Sequence, residues 1–380
     1  MADSIEIYKN RPTRAEISLN ALKNNFNIVR SCISPDVKIM PMVKANAYGH
    51  GILKISECLL DYGANYLGVA YLEEAVYLRK NGIEAPILVL GAINTDQIED
   101  FIKYDIDITS SSIDKSKAIS ETAEKLGKTA TIHIKFDTGM ERIGVHWYNA
   151  EKFIDVTLSL PNINIRGVFS HFAKSDSDKD FTGAQIERFN TILDFFRKRN
   201  SLPELIHFAN SAAILNHPES HYNTVRPGIM LYGYHPSGYT NYSVNGLELE
   251  PVMSLKTKVS YFKVCPQDTG ISYNHKYKTK EQTRIITLPV GYGDGYSRAL
   301  SNKGEIIVRG KKYAVSGTIC MDQMMCDIGP AGSAYNGDDV LLFGKDGENT
   351  ISLDMLCNKI DAITYEFLCG ISERVPRIYR

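Results

Sequence analysis

An apolar run meets a lysine in VKIMPMVKANAYGHG, residues 37–51, and a turn that contains glycine follows the lysine. The run over Val37–Val43 predicts a buried β-strand that ends at Lys44. Seven more short apolar runs follow, separated by segments of helical period, and this alternation predicts a parallel (β/α)8 barrel of the TIM type. The eight predicted strands are Val37–Val43, Tyr66–Ala70, Ile87–Leu90, Ile106–Thr109, Thr131–Phe136, Ile163–Phe169, Leu205–Phe208 and Ile229–Tyr232.

The pattern changes after about Asn245 to short alternating runs separated by turns rich in Gly and Asp. This change predicts a second, mostly β domain. The runs include the alternation at Leu255, Thr257, Val259 and Tyr261, and the segments Ile285–Val290, Glu305–Val308, Tyr313–Val315 and Val340–Phe343. We expect the barrel to span residues 13–240, and the second domain to span residues 241–380 together with residues 1–12.

Composition narrows the class of protein. Lys and Arg number 43 against 44 Asp and Glu, and no long basic block occurs, so we expect no nucleic-acid partner. No apolar run reaches about 18 residues, and Met1–Arg11 is charged, so neither a membrane span nor a signal peptide is predicted. The seven cysteines lack CxxC spacing, which argues against disulfides and a metal site. We therefore expect a cytoplasmic protein.

The barrel prediction requires functional side chains at the carboxyl ends of the strands, because barrel active sites lie at that face. A single polar residue in this position is more often an ordinary loop residue, so the prediction rests on the set. The set comprises Lys44 after strand one, Lys135 and Asp137 at the end of strand five, His171 after strand six, Asn210 and Ser211 after strand seven, and Arg226 and Gly228 at the start of strand eight.

These residues suit a phosphorylated aldehyde. Burial of Lys44 would lower its pKa and leave an amine that attacks an aldehyde, although a lysine at a barrel rim can also simply extend into solvent. The Ser211 hydroxyl and the backbone N–H groups beside Gly228 form a predicted anion site, to which Tyr48 can add a phenolic donor.

Six motifs resemble those of the alanine racemase family, which are barrel-type enzymes that use pyridoxal 5'-phosphate. The resemblance runs from Arg11 to Arg377 and therefore covers nearly the whole chain. The motifs are VKANAYGHG (43–51), KFDTGMER (135–142), SHFA (170–173), RPGIMLYG (226–233), GISY (270–273) and CMDQ (320–323).

The resemblance implies a racemase that interconverts L- and D-alanine and supplies D-alanine for peptidoglycan. Lys44 would carry the cofactor as a Schiff base and act as one base, and Tyr273 of the partner chain in a homodimer would act as the other. A tyrosine needs nearby hydrogen bonds or cations to act as a base at pH 7. The cofactor-binding residues implied are Lys44, Tyr48, His171, Asn210, Ser211, Arg226, Gly228 and Ile229.

The family also implies supporting roles. A chain from Tyr273 through His171 and Arg226 to His207 would stabilise the tyrosine, with Arg226 against the pyridine nitrogen. Arg142 and the backbone of Met321 would bind the substrate carboxylate together with Tyr273. The remaining supporting residues are Lys135, which is carbamylated in many members, Tyr292 of the access channel, and Asp322.

Three positions depart from the family pattern: Glu141 replaces a usual glycine, Thr318 an arginine and Glu373 a tyrosine. The last two belong to the access channel in relatives, so a serine or broad-spectrum racemase stays open as an alternative. A non-catalytic pyridoxal-phosphate-binding protein is a further alternative, but such relatives lack a second domain. A decarboxylase of the related barrel class would need a C-terminal cysteine motif that Cys357 and Cys369 do not form.

Overall fold

The computed structural model describes residues 10–236, 243–244 and 247–380. The first elements are β1 (Arg14–Ile17) and α1 (Leu19–Ser31). The following strands are β2 (Lys38–Ile39), β3 (Leu67–Val69), β4 (Ile87–Val89), β5 (Asp107–Ser110), β6 (Ala130–Asp137), β7 (Val145–His146), β8 (Ile163–Phe169), β9 (Leu205–His207) and β10 (Thr224–Val225).

Eight of these strands form a parallel barrel, as the alternating pattern predicts. Their order is β2-β10-β9-β8-β6-β5-β4-β3, and β7 pairs only with β6. A parallel bridge between Met42 and Gly68 closes the ring beside β2 and β3. The Val43 N–H donates to the Gly68 carbonyl across the same seam, at 2.9 Å.

Helices cover the barrel and follow the expected spacing of apolar residues. They are α2 (Ile52–Asp61), α3 (Leu72–Lys80), α4 (Ile98–Lys103), α5 (Ile113–Lys125), α6 (Ala150–Ser159), α7 (Lys179–Lys198) and α8 (Ser211–Asn216). In α7, the side chains of Ile186, Phe189 and Leu193 are buried, and the Asp178 carboxylate accepts the Phe181 N–H at the helix start. Short 3₁₀ helices cover Thr95–Gln97, Trp147–Asn149, Pro218–Ser220 and Ile229–Tyr232.

The predicted eighth strand is wrong in position. Ile229–Tyr232 forms a 3₁₀ helix, and the eighth barrel strand is β10, Thr224–Val225. All four side chains of the 3₁₀ helix are fully buried, and an apolar run without alternation does not distinguish a strand from a helix. Arg226 and Gly228 therefore follow strand eight instead of opening it, so they lie at the same barrel face as the other site residues.

The second domain is mostly β, as the short alternating apolar runs after Asn245 predict. Its strands are β11 (Ser243–Val244), β12 (Leu247–Glu248), β13 (Met253–Lys258), β14 (Tyr261–Cys265), β15 (Gly270–Ile271), β16 (Tyr277–Lys278), β17 (Thr283–Leu288), β18 (Glu305–Val308), β19 (Lys311–Ala314), β20 (Met324–Asp327), β21 (Asp339–Asp346), β22 (Asn349–Ile351) and β23 (Arg377–Tyr379). Its helices are α9 (Leu353–Asn358) and α10 (Thr364–Gly370), with 3₁₀ helices at Tyr273–His275, Tyr292–Asp294 and Arg298–Leu300.

Strand β1 belongs to the largest sheet of this second region, whose order is β19-β18-β21-β13-β1-β23 with β22 on β21. We propose that the first boundary lies after Ile17, because among the described strands β1 pairs with β13 and β23 of this second region. The second boundary, at 240/241, and residues 1–9 lie outside the described residues. The division into two domains stays a proposal.

Candidate functional site

The backbone after Lys44 forms one left-handed turn. Ala45, Asn46, Ala47 and Tyr48 have φ values of 52°, 54°, 52° and 52°. For L-residues this conformation costs about 1–2 kcal/mol per residue. Such a turn persists only where the surrounding contacts fix it, and backbone strain of this kind concentrates at functional sites.

Side chains from inside and outside the motif hold this turn. The Asn46 side-chain oxygen accepts the Ile52 N–H at 2.8 Å. The Glu74 carboxylate accepts the Ala45 N–H at 2.6 Å. Glu74 lies in the first turn of α3, so this contact links the lysine turn to a helix beyond the neighbouring α2.

The His50 imidazole stabilises the turn by hydrogen bonds to its backbone. Its Nδ1 lies 3.0 Å from the Ala47 carbonyl oxygen and 2.9 Å from that of Tyr48, so Nδ1 carries a proton and donates. Burial lowers the pKa of His50 to about 4, which keeps the ring neutral. Gly49 has φ of +81°, and a Cβ there would overlap the Leu368 carbonyl, so the motif requires glycine at this position.

Lys44 has the electrostatic environment of a reactive amine. Burial lowers the pKa of its ammonium, and the positive charges of Arg142 and Arg226 lower it further, while Glu74 and Cys369 oppose the shift. A lysine with a lowered pKa has more of its neutral, nucleophilic form at pH 7.

The predicted anion site lies at the same barrel face. Ser211 begins α8, and its Oγ accepts the Gly228 N–H at 2.8 Å. A Cβ on Gly228 would lie 2.7 Å from the Tyr48 hydroxyl oxygen, so the missing side chain leaves room beside that hydroxyl. Asn210 caps α8 by accepting the Ala213 N–H at 3.0 Å, and Ile229 begins the following 3₁₀ helix. The Tyr48 and Ser211 hydroxyls therefore both lie beside the Gly228 backbone.

Arg226 is buried at the centre of the site. Its guanidinium donates to the backbone carbonyls of His207 (2.6 Å), Ser170 (2.8 Å) and Phe208 (3.2 Å). It also lies 2.9 Å from His207 Nδ1 and 3.3 Å from His171 Nδ1. Burial lowers its pKa to about 9, so the side chain stays protonated at pH 7.

Both histidines beside Arg226 are neutral. Burial, and then the charge of Arg226, lower the pKa of His171 and of His207 well below the usual histidine value. Each ring therefore presents an unprotonated Nδ1 to the guanidinium, because only a lone pair can accept from an arginine donor. The structure thus joins His171, Arg226 and His207, three of the four members of the predicted chain.

Four polar residues that the sequence analysis missed continue this chain into the barrel: His133, Asp107, Tyr66 and Arg166. His133 Nδ1 lies 2.9 Å from His207 Nε2, and His133 Nε2 lies 3.1 Å from Asp107 Oδ2. A signal was available, since His133, Lys135 and Asp137 alternate along β6 and so share one face.

Lys135 is buried beside the arginines. Its Nζ lies 4.4 Å from the centre of the Phe169 ring. Burial, followed by the charges of Arg226 and Arg142, lowers the pKa of Lys135 to about 7, although Asp137 opposes the shift. An ammonium without a closely paired anion is disfavoured in such a position.

The loop after β6 places Arg142. The Asp137 carboxylate accepts the backbone N–H groups of Gly139 (2.8 Å), Met140 (2.9 Å) and Arg142 (3.2 Å). Glu141 has φ of +54°, a conformation that suits the glycine usual in the family. Its carboxylate reaches His146 Nε2 at 2.9 Å, outside the site.

Tyr273 and Met321 lie on a different surface from Lys44. Their exposed fractions are 69% and 53%, and both line a wide depression of about 650 Å³ whose walls include no barrel residue. Residues on both sides of Tyr273, Ser272 and Asn274, have φ of 63° and 60°. A large exposed tyrosine flanked by strained backbone makes Tyr273 a candidate functional residue.

Ion pairs hold this surface together. The buried Asp294 carboxylate pairs with Arg11 and with Arg374, and Arg374 also reaches Asp322 at 2.5 Å. The Tyr292 N–H donates to the Cys320 carbonyl at 3.1 Å, which fixes the glycine-rich turn against the Met321 segment. Tyr292, Met321 and Asp322 therefore lie on one connected surface.

Thr318 and Glu373, the two residues that depart from the family pattern in the predicted access channel, have different surroundings. Thr318 is buried, and its hydroxyl donates to the Tyr273 carbonyl at 3.0 Å, so it supports the backbone of the candidate base. Glu373 is exposed.

Two kinds of feature are absent from the part of the chain that the structure describes: a membrane-spanning helix and a metal-binding cluster. No helix in the described part of the chain is long and apolar enough to span a membrane. Among residues 10–236, 243–244 and 247–380, no cluster of three or more His, Cys, Asp or Glu side chains is arranged to hold a metal ion.

Comparison with known proteins covers the chain almost completely. The family models for the alanine racemase N-terminal and C-terminal domains match residues 17–236 and 252–379. An alanine racemase of Halothermothrix orenii is 43% identical over 371 residues, 97% of this chain and 97% of the relative.

Solved structures agree with this match. The chain superposes on alanine racemase of Clostridium difficile 630 with a TM-score of 0.92 at 36% identity, covering 98% of this chain and 96% of that one. Alanine racemase of Bacillus anthracis with bound L-Ala-P gives a TM-score of 0.89 at 35% identity, covering 97% and 95%.

Proposed function

The chain belongs to the alanine racemase family and is an alanine racemase, an isomerase, and from this premise we propose that it works with pyridoxal 5'-phosphate on Lys44. The observation that carries the proposal is the lysine turn itself, with its lowered Lys44 pKa, just after the Met42 bridge that closes the barrel. The family uses this cofactor, and the residues present fit it. The Tyr48 and Ser211 hydroxyls meet beside the Gly228 backbone, at the start of α8, where they would bind a phosphate.

When bound, the cofactor withdraws electrons from the substrate Cα and makes its proton acidic. We assign the protein's part to five residues. Lys44 removes or returns the proton on one face of the Cα, and Tyr273 does so on the other. Arg142 and the Met321 backbone N–H bind the carboxylate. Arg226, protonated and held by carbonyls, would donate to the ring nitrogen and leave that nitrogen without a proton.

The exposure of Tyr273 supports a homodimer with shared sites. A base must lie within hydrogen-bonding distance of the proton it removes. Tyr273 and Met321 project from their own chain on a surface of their own, whereas Lys44 and Arg142 lie at the barrel face. In our proposal a partner subunit places its Tyr273 against His171. This contact completes the predicted series of hydrogen bonds from the tyrosine to Arg226.

We place the enzyme in the cytoplasm, where it would supply D-alanine for peptidoglycan. All seven cysteines are free thiols, as a reducing compartment favours.

The test is a purified preparation with added pyridoxal 5'-phosphate. We expect an absorption band near the edge of the visible range that borohydride shifts irreversibly, and racemisation of L-alanine well above that of L-serine, L-lysine and L-arginine. The chain carries Thr318 and Glu373 at channel positions, so the four substrates must be compared side by side. Equal turnover of all four would contradict an alanine-selective enzyme and favour the broad-spectrum alternative.

We also expect Lys135 to carry a carbamate that positions Arg142. A neutral amine attacks CO2, loses one proton to solvent and becomes a carbamate anion. With a pKa of about 7, Lys135 is roughly half neutral at pH 7, against less than about 0.1% for an ordinary lysine.

A ¹³C resonance from labelled bicarbonate checks this carbamate. It should appear in the wild type and be absent from Lys135→Gln. Lowering the pH through 7 protonates the amine, so the signal should decline toward pH 6. Lys125→Gln, at an exposed position of α5, is the control and should keep the signal. A wild-type protein without the resonance at pH 8 would refute the carbamate.

A further inference from the structure

The buried polar chain continues beyond His207 to a carboxylate on the inside of the barrel. From Arg226, it passes through His207 and His133 to Asp107, with nitrogen–nitrogen distances of 2.9 and 2.9 Å and a final nitrogen–oxygen distance of 3.1 Å. His133 and His207 are fully buried, and Asp107 is 3% exposed. Buried groups of this kind are costly unless every donor meets an acceptor.

Only one placement of protons satisfies all three hydrogen bonds. Arg226 is a donor, so His207 Nδ1 must be the acceptor and the single proton of His207 lies on Nε2. His133 must then accept at Nδ1 and carry its proton on Nε2, where it faces the Asp107 carboxylate. The reverse direction would leave His207 with no proton at all. The cation at one end and the anion at the other thus fix both tautomers.

The surroundings fix the rings as well as the protons. His207 stacks on Phe169 with ring centres 4.7 Å apart and an angle of 11°. Gly167 makes room for His133, since a Cβ at Gly167 would overlap the imidazole ring. The Phe169 ring therefore packs against His207, and the Gly167 backbone lies close to His133.

The far end of the chain is anchored on Asp107. The Tyr66 hydroxyl donates to this carboxylate, and Arg166 Nη1 lies 3.2 Å from its Oδ2 and 3.3 Å from its Oδ1. These two residues and His133 all donate to Asp107, which leaves its carboxylate little freedom to rotate.

We propose that Asp107 and His133 are positioning residues for the cofactor site: they fix the tautomer and plane of His207 and, through it, the guanidinium of Arg226. Neither residue touches the cofactor in this scheme. The functional part of the inference rests on the proposed function, in which Arg226 faces the cofactor ring. Outer partners of a functional histidine commonly change activity by about 10- to 100-fold, as the second shell of metal-bound histidines does.

We call the hydrogen-bonded series Arg226–His207–His133–Asp107 the relay. Asp107→Asn tests it at its far end, because Asp107 contacts His133 and contacts neither His207 nor Arg226 in the hydrogen bonds above. We expect the ¹⁵N and ¹H resonances of the His207 Nε2–H to move, with and without cofactor. In the loaded enzyme we expect a shifted absorption maximum of the bound cofactor, a kcat about tenfold lower and a KM for alanine within about twofold of the wild type. A protein that is merely less stable would keep the His207 resonances and the absorption maximum.

Two His133 variants refine the test. His133→Leu removes the acceptor for His207 and should reproduce the Asp107→Asn changes. His133→Asn keeps an amide oxygen near the Nδ1 position and should recover part of the kcat and of the His207 resonance. Ser116→Ala is the matched control, since it removes buried hydroxyl contacts to Ser110 (2.6 Å) and Thr157 (3.2 Å) in the same barrel without touching the relay.

The outcomes separate the two proposals. Unchanged His207 resonances and an unchanged cofactor spectrum in Asp107→Asn would overturn the positioning role. A wild-type protein without any cofactor band would instead contradict the proposed function, while the histidine resonances of the cofactor-free chain would still report on the relay.

Discussion

Lys44→Ala is expected to lower kcat for alanine racemisation by at least about 10³-fold and to remove the cofactor band that borohydride shifts. Acid–base catalysis alone contributes about 10² to 10⁴-fold, and Lys44 in our proposal is both a base and the cofactor's covalent partner. The motif VKANAYGHG contains no second lysine that could replace it. Absorbance spectra and polarimetry on the same samples would measure both effects.

Lys256→Ala provides the comparison. Lys256 is also a buried lysine, but it pairs with Glu16 at 2.9 Å and Asp346 at 2.8 Å in the second domain. Its loss should reduce stability and leave the cofactor band in place. Added methylamine should restore part of the rate to Lys44→Ala, since it supplies the missing amine. Full activity in Lys44→Ala without any amine would end the proposed mechanism.

Tyr273→Phe is expected to lower racemisation by about 10² to 10⁴-fold, the usual contribution of a positioned base. The loss in kcat/KM should be the same for L- and D-alanine, because the two enantiomers have equal free energy. Exchange of the α-proton with D2O should differ: it should persist for one enantiomer, through Lys44, and nearly vanish for the other. Proton NMR in D2O measures both. Equal exchange of the two enantiomers would contradict the two-base assignment.

Mixing the two variants tests whether Tyr273 acts across the dimer. A mixed dimer of Lys44→Ala and Tyr273→Phe chains would have one site with both bases and one site with neither. Random pairing makes half of the dimers mixed, so the mixture should recover about a quarter of the wild-type specific activity. Each variant alone should stay inactive. No recovery after chain exchange, verified by mass, would place both bases in one chain.

The local pattern predicts most of the architecture. Apolar runs that alternate with helical segments were enough to predict the barrel, because both periods are properties of neighbouring residues. The same pattern locates Lys44 and His171 after strands and Lys135 near the end of one. It fails at Ile229–Tyr232, where burial on every side removes the alternation that separates a strand from a helix.

For the site, too, some features follow from the sequence and others depend on tertiary structure. Its motifs indicate which residues carry the chemistry, and the structure joins His171, Arg226 and His207 as those motifs imply. Tyr273 and Met321 lie apart within one chain, and the roles assigned to them depend on a partner.

Sequence by itself therefore determined the barrel, the β-rich second region and the position of the reactive lysine, since each follows from spacing over a few residues. Tertiary structure alone decided the left-handed turn, the place of the eighth strand and the relay to Asp107. His207 and His133 are 74 residues apart, and Arg377, which holds the Gly49 carbonyl, is 328 residues from it. Such pairings form only when folding closes the barrel and packs the last strand against the first, so no local pattern contains them.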